Sequence, residues 1–203
     1  MPEINAESVV LLHGLALWPG YMAPMARRLE ARGFAARPVG YRSRHQDFAA
    51  SVDEVERALA ELGPVHLVGH SLGGLIAAEL LLRAPQRVGR VVQLGSPNLG
   101  SPQANRAMWI PPVRWFYGPV LRELVCHARA PAPDDRIGAV AGVIWPNISG
   151  GQGDGAVRLG SAVAAAGDHV TVRVMHTLLP LSRAVAGHVA DFLTHGHFGE
   201  ADE

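Results

Sequence analysis

The chemical resources of this 203-residue sequence include one serine framed by glycines, ten histidines and 18 acidic residues. The serine is Ser71, in the stretch "GHSLG" (69–73). A serine hydroxyl is a poor nucleophile at neutral pH. It becomes a good one when an imidazole in hydrogen-bond reach takes its proton and a carboxylate orients that imidazole. The chemistry in question is therefore acyl transfer through an acyl-serine. The pattern alone is only moderately specific, since G-x-S-x-G arises by chance about 0.1 times in a chain of this composition. Competing chemistries have less to stand on. There is no H-E-x-x-H pair for a metal, and "SGGQGDG" (149–155) lacks the Lys and Ser/Thr of a phosphate loop. The single cysteine, Cys126, cannot form an intramolecular disulfide and reads as a packed or half-exposed thiol rather than a nucleophile.

The segments around Ser71 strengthen the pattern. "VHLVG" (65–69) reads as a buried strand and "LGGLIAAELLLRA" (72–84) as an apolar helix stopped by Pro85. The serine thus falls on a sharp strand-to-helix turn, where side chains at Gly69 and Gly73 would collide. Such a turn strains the backbone and lifts the hydroxyl above the sheet. Further strands are expected at 8–13, 34–41, 90–96, 139–145 and 169–175, the second weakened by Pro38. Helices are expected at 21–33, 48–63 and 182–196. Strands alternating with helices imply a parallel sheet covered on both faces, with ligands at the carboxyl edge of the strands. The chain reads as a single domain, 1–203. One region breaks its rhythm: 97–138 holds "MWIPPVRWFYGPVLRELV" (108–125), too apolar for disorder. A cap-like insertion is expected at about 98–137.

Four stretches carry a likeness to a known family: "VVLLHG" (9–14), "GHSLGG" (69–74), "LGSPNLGSP" (94–102) and "GDGAV" (153–157), with a late histidine after the last strand. Over most of its length the chain resembles the α/β-hydrolase family, and within it small bacterial lipase-like esterases. Asn98 stands where the lipase "GTPHxGS" segment more usually has histidine. The resemblance implies a compact α/β fold of about six mostly parallel strands with helices on both faces. It also implies a triad in the order Ser, Asp, His. His176 follows the last strand, at the carboxyl edge beside Ser71, and is the expected base. Asp154 follows the preceding strand and is the expected acid. Asp168 and His169 are placed at the amino edge, as are Asp134 and Asp135, which argues against all four. Structural roles are expected for His45, His66, His70, His127, His188, His195 and His197. The oxyanion donors would be the backbone N–H of Leu72 and, by resemblance, that of Leu15, in a loop shaped by His13. Trp18, Trp109, Trp115 and Phe116 are candidate pocket residues.

Composition narrows the partners. Eighteen basic residues, all arginine, balance 18 acidic ones, and none form a block. No field steers the chain to nucleic acid or to an acidic membrane. No signal peptide is visible in "MPEINAES" and no apolar run is long enough to span a bilayer, so a cytoplasmic location is the default expectation. The expected activity is hydrolysis of a small-molecule or lipid ester with no cofactor and no metal. An amidase, thioesterase or acyltransferase would use the same machinery. A non-catalytic binding protein on the same fold would require a broken triad.

Overall fold

Alternate residues of the first apolar run, 9–12, end in two different cores. The computed structural model describes residues 8–101, 109–112, 115, 118–120, 132–144 and 152–199. In it β1 (Ser8–Leu12) sends Val9 and Leu11 to one face of a sheet and Val10 and Leu12 to the other. Period-two alternation with both sets apolar is what a strand buried on both sides requires.

The remaining elements follow in alternation: α1 (Ala23–Glu30), β2 (Ala35–Val39), α2 (Phe48–Leu59), β3 (Val65–His70), α3 (Leu72–Arg83) and β4 (Val88–Leu94). After a long connection come β5 (Asp134–Gly142), the short α4 (Leu159–Ala162), β6 (Ala166–Val172) and α5 (Arg183–His195). The six strands form one sheet in the order β2-β1-β3-β4-β5-β6, and every pairing is parallel. Met25 and Leu29 of α1 pack with Val185, Val189 and Phe192 of α5 on one face. Val52 and Val55 of α2 pack with Ile76 and Leu80 of α3 on the other. The expected α/β fold, with about six parallel strands and helices on both faces, is the fold observed.

Local chemistry sets the helix ends. The Asp47 carboxylate accepts from Ala50 N at 2.8 Å to cap α2, and Ser182 caps α5. Gly196 closes α5 in the left-handed region at φ 83°. Pro38 lies inside β2, which is tolerated because β2 is an edge strand paired on one side only.

Three strands begin earlier than expected. β4 starts at Val88, β5 at Asp134 and β6 at Ala166, rather than at 90, 139 and 169. The apolar run marks where a strand is buried, whereas the ladder extends into polar residues beyond it. Asp134 and Arg136 open β5 together, their side chains joined at 3.1 Å. Asp168 and His169 therefore lie within β6, not before or at its start, and pair with Gly138 and Ala139.

Of the proposed cap span, 98–101 belongs to a loop leaving β4, and 134–137 to β5. Between them Trp109 and Trp115 are both more than 80% exposed, at 83% and 82%, while Val120 is buried. Phe116, Cys126, His127 and most of the remainder lie outside the described residues. Among the described residues no helix is long and apolar enough to cross a membrane.

Candidate active site

Ser71 occupies the single step between β3 and α3, with φ 52° and ψ −115°. Residues with a Cβ rarely hold that conformation. Its surroundings leave the turn no slack. A Cβ on Gly69 would come within 2.3 Å of the Gly73 carbonyl, and one on Gly73 within 2.5 Å of the Leu12 carbonyl oxygen. The turn is anchored from below by Ser71 N–H donating to Leu94 O at 2.9 Å. Since β3 ends at His70, the serine stands at the carboxyl edge of the sheet, half-buried, on the first turn of a helix.

At that edge the loop after β5 supplies Asp154. Its Oδ1 accepts from Ala156 N at 3.0 Å and Val157 N at 2.8 Å, within a small turn closed by the Gly153–Arg158 bridge. Its Oδ2 is left to accept from His176 Nδ1 at 2.7 Å. The backbone doubles the link, because His176 N donates to Asp154 O at 3.0 Å. The Asp154 side chain is 1% exposed and that of His176 14%. With its proton on Nδ1, His176 offers a lone pair at Nε2. The arrangement can hold an imidazole in one tautomer and one orientation, as proton transfer from a hydroxyl requires.

Leu72 opens α3, so its N–H is among the first-turn amides that a helix leaves unpaired. Leu15 lies in the loop after β1, in a turn closed by Leu17 N donating to Gly14 O at 3.2 Å. Ala16 in that turn has φ 59°, and its N–H donates to Ser43 Oγ at 3.2 Å. His13 is buried, bonds Gly14 O through Nδ1 at 2.8 Å and stacks on Tyr41 at 4.4 Å. Tyr41 in turn donates to His13 O at 2.6 Å. Burial lowers the His13 pKa, which keeps the ring neutral, and raises that of Tyr41.

The other histidines separate cleanly. His66 is buried in β3, where Nδ1 accepts from Arg90 N at 2.8 Å. Burial, with the Arg90 charge behind it, pushes its pKa down to about 4. His169 and His195 are exposed, and His188 lies within α5. Trp18 is 61% exposed and meets Tyr21 edge-on at 5.8 Å.

The partners of several residues here are not legible in the sequence. His70 is buried against the ring of His176, 4.9 Å away, and bonds its carbonyl. Burial first, then the neighbouring His176, pushes its pKa down to about 3. Asn98 belongs to a buried polar group: its amide donates to Gln93 Oε1 at 2.8 Å and to Ala162 O at 3.2 Å. Gln93 donates to Gly74 O at 2.9 Å, and Ser161 Oγ bridges Leu99 N and Gly100 O. The "LGSPNLGSP" stretch was the one available signal for that group. Apart from the Gln93–Asn98 bond, which spans five positions, these bonds join residues far apart in sequence, and nothing local announces them.

A family model described as alpha/beta hydrolase fold matches residues 7–128. Among curated proteins, the chain is 32% identical over 100 residues to the pimeloyl-[acyl-carrier protein] methyl ester esterase of Photobacterium profundum. That match covers 46% of this chain and 39% of the relative, so the chain spans about two fifths of that protein's length. Among solved structures, the mature form of Bacillus licheniformis lipase BlEst2 matches with a TM-score of 0.64 at 19% identity, over 92% of this chain and 94% of the lipase. The propeptide form of the same lipase is matched over only 48% of its length. The monoacylglycerol lipase of Paleococcus ferrophilus matches with a TM-score of 0.66 at 16% identity, over 97% of both chains. At such identities the two lipases speak for the fold alone.

Proposed function

The chain belongs to the alpha/beta-hydrolase fold family, and from that premise we propose that it is a serine hydrolase of carboxylic esters. The observation that carries this reading is the 2.7 Å bond from His176 to the buried Asp154, at the same sheet edge as Ser71. In the proposed reaction Ser71 Oγ attacks the ester carbonyl carbon as His176 Nε2 takes the hydroxyl proton. Asp154 holds the Nδ1–H and stabilises the imidazolium that results. The carbonyl oxygen becomes an oxyanion that accepts from the N–H groups of Leu72 and Leu15. Collapse breaks the bond to the alcohol, which leaves with the proton from Nε2. A water then repeats the sequence and releases the acid.

The substrate class proposed is a carboxylic ester, in keeping with the methyl ester esterase that the chain resembles over 100 residues. The exposed Trp18, Trp109 and Trp115 would give an apolar acyl chain a wall, the latter two from a cap over the site.

Hydrolysis of p-nitrophenyl esters from acetate to palmitate tests the reading. Ser71→Ala should lose about 10⁶-fold in kcat, and Asp154→Asn less, about 10⁴-fold. A fluorophosphonate should label the wild type and not Ser71→Ala. Retained turnover in Ser71→Ala overturns the assignment. Thioester and amide panels identify the bond if esters are not cleaved but labelling succeeds.

A further inference from the structure

Three loops that the proposed reaction must hold in register meet on one side chain, His70. It is the last residue of β3, directly before Ser71, and only 2% exposed. Its Nε2 lies 3.0 Å from the carbonyl oxygen of His176, across 106 residues of sequence. A carbonyl can only accept, so Nε2 carries the proton and donates it. The other face of the ring borders the loop after β1: a Cβ on Gly14 would stand 2.8 Å from His70 Nδ1. Tyr21 packs on the ring at 6.3 Å and donates its hydroxyl to the carbonyl of Thr177. Two successive carbonyls of the base-bearing loop are thus held, that of 176 by the residue before the nucleophile and that of 177 by Tyr21 of the segment after β1.

This arrangement leaves a nitrogen exposed to neither water nor partner. His70 Nδ1 is buried with no hydrogen bond among the described residues, a loss of hydration that nothing repays. A methionine or leucine would fill the same space without that loss. What neither could do is donate to the His176 carbonyl.

We propose that His70 is a positioning residue that sets the separation of Ser71 from His176 and the height of the oxyanion loop at Gly14. The inference rests on the reading of Ser71, His176 and Asp154 given above. Its grip on His176 acts through the peptide, while Asp154 acts through the ring. The first restrains where the imidazole stands and the second how it is turned. Displacement of such a group by about 1 Å can lower a rate by about 10²-fold without altering substrate binding.

The test compares His70→Met, which keeps volume and removes the donor, with His70→Gln, whose amide nitrogen reaches about as far as Nε2. On p-nitrophenyl butyrate, His70→Met should lose about 10- to 100-fold in kcat with KM changed less than about twofold. Fluorophosphonate labelling should slow in proportion, and His70→Gln should recover most of both rates. His70→Asn, polar but too short to reach, replaces His70→Met if that variant does not fold, and should behave like it. Turnover within about twofold of wild type in the variant lacking the donor overturns the proposal. So does an equal loss in His70→Gln, which would mean packing alone. Ser71→Ala runs alongside. If it stays active the serine mechanism itself fails; if it is dead while the donor-less variant is fully active, only the role of His70 fails.

Discussion

Ser71 keeps a backbone conformation that its own chemistry disfavours, and the glycines around it are what make the conformation the lowest available. A Cβ at Gly73 would meet the carbonyl oxygens of Leu12 and His13 at 2.5 and 2.7 Å, at the end of a strand paired on both sides, where the backbone has little room to retreat. Gly73→Ala should therefore destabilise the protein by about 2–4 kcal/mol and abolish fluorophosphonate labelling. Thermal unfolding checks the first effect and labelling of the folded fraction the second. At this scale the sequence was most informative where a residue's role depends on its neighbours in the chain. The glycines two positions either side of Ser71 are local, so the turn could be read directly. Placing His176 and Asp154 needed the direction of each strand together with the Ser, Asp, His order that the family resemblance implies. The structure brings those two together at the edge where Ser71 stands. The sequence leaves His70 among the structural histidines, in the turn but aimed away from the hydroxyl; its partner is a carbonyl 106 positions away. A bond of that kind exists only once β3 and the loop after β6 are neighbours.

Between elements, the buried amides of Gln93 and Asn98 tie three pieces together: α3 through Gly74 O, β4 through Gln93, and α4 through Ala162 O. Ser161 extends the tie to the loop at Leu99 and Gly100. The acid-bearing loop between β5 and β6 is thereby fastened to the helix that begins at the nucleophile. Asn98→Ala would leave the Gln93 carbonyl oxygen without its donor in a dry site. It should destabilise by about 1–3 kcal/mol, lowering Tm by roughly 2–4 °C for each kcal/mol. Differential scanning fluorimetry measures the shift, and a Tm within about 1 °C of wild type would show the group to be dispensable. Element positions were legible and their ends were not. Apolar runs found every strand, but β5 and β6 start in Asp134–Arg136 and Ala166–His169, where polarity hides the ladder. The four-residue α4 is too short to display a helical period.

Across the whole molecule, burial of the central strands between two layers of helices keeps the imidazoles within them neutral well below the usual histidine range. Burial holds His66 down to about 4 and His70 down to about 3, against 6.5 in the unfolded chain. Below pH 6.5 the unfolded chain takes up protons that the folded one refuses, so stability falls as the pH drops. The loss runs from about 6.5 down to about 4 for His66 and about 3 for His70, and neither adds any slope above pH 7. His66→Asn keeps an acceptor for Arg90 N and does not titrate. Between about pH 7 and about pH 4.5, urea unfolding should show it losing about 2 kcal/mol less than wild type. An identical slope for the two would mean that His66 ionises freely in the folded state. The parallel sheet and its two covered faces were foreseeable because alternating strands and helices allow little else. The same sheet divides the chain in time. β1 to β4, with Ser71, lie in the first 94 residues; Asp154 and His176 come only with β5 and β6. A ribosome translating this message completes the nucleophile's strand-turn-helix some hundred codons before it adds the base. On the proposed mechanism every shorter nascent chain is inert, and the hydrolase switches on only as its last strand is threaded into place beside β5.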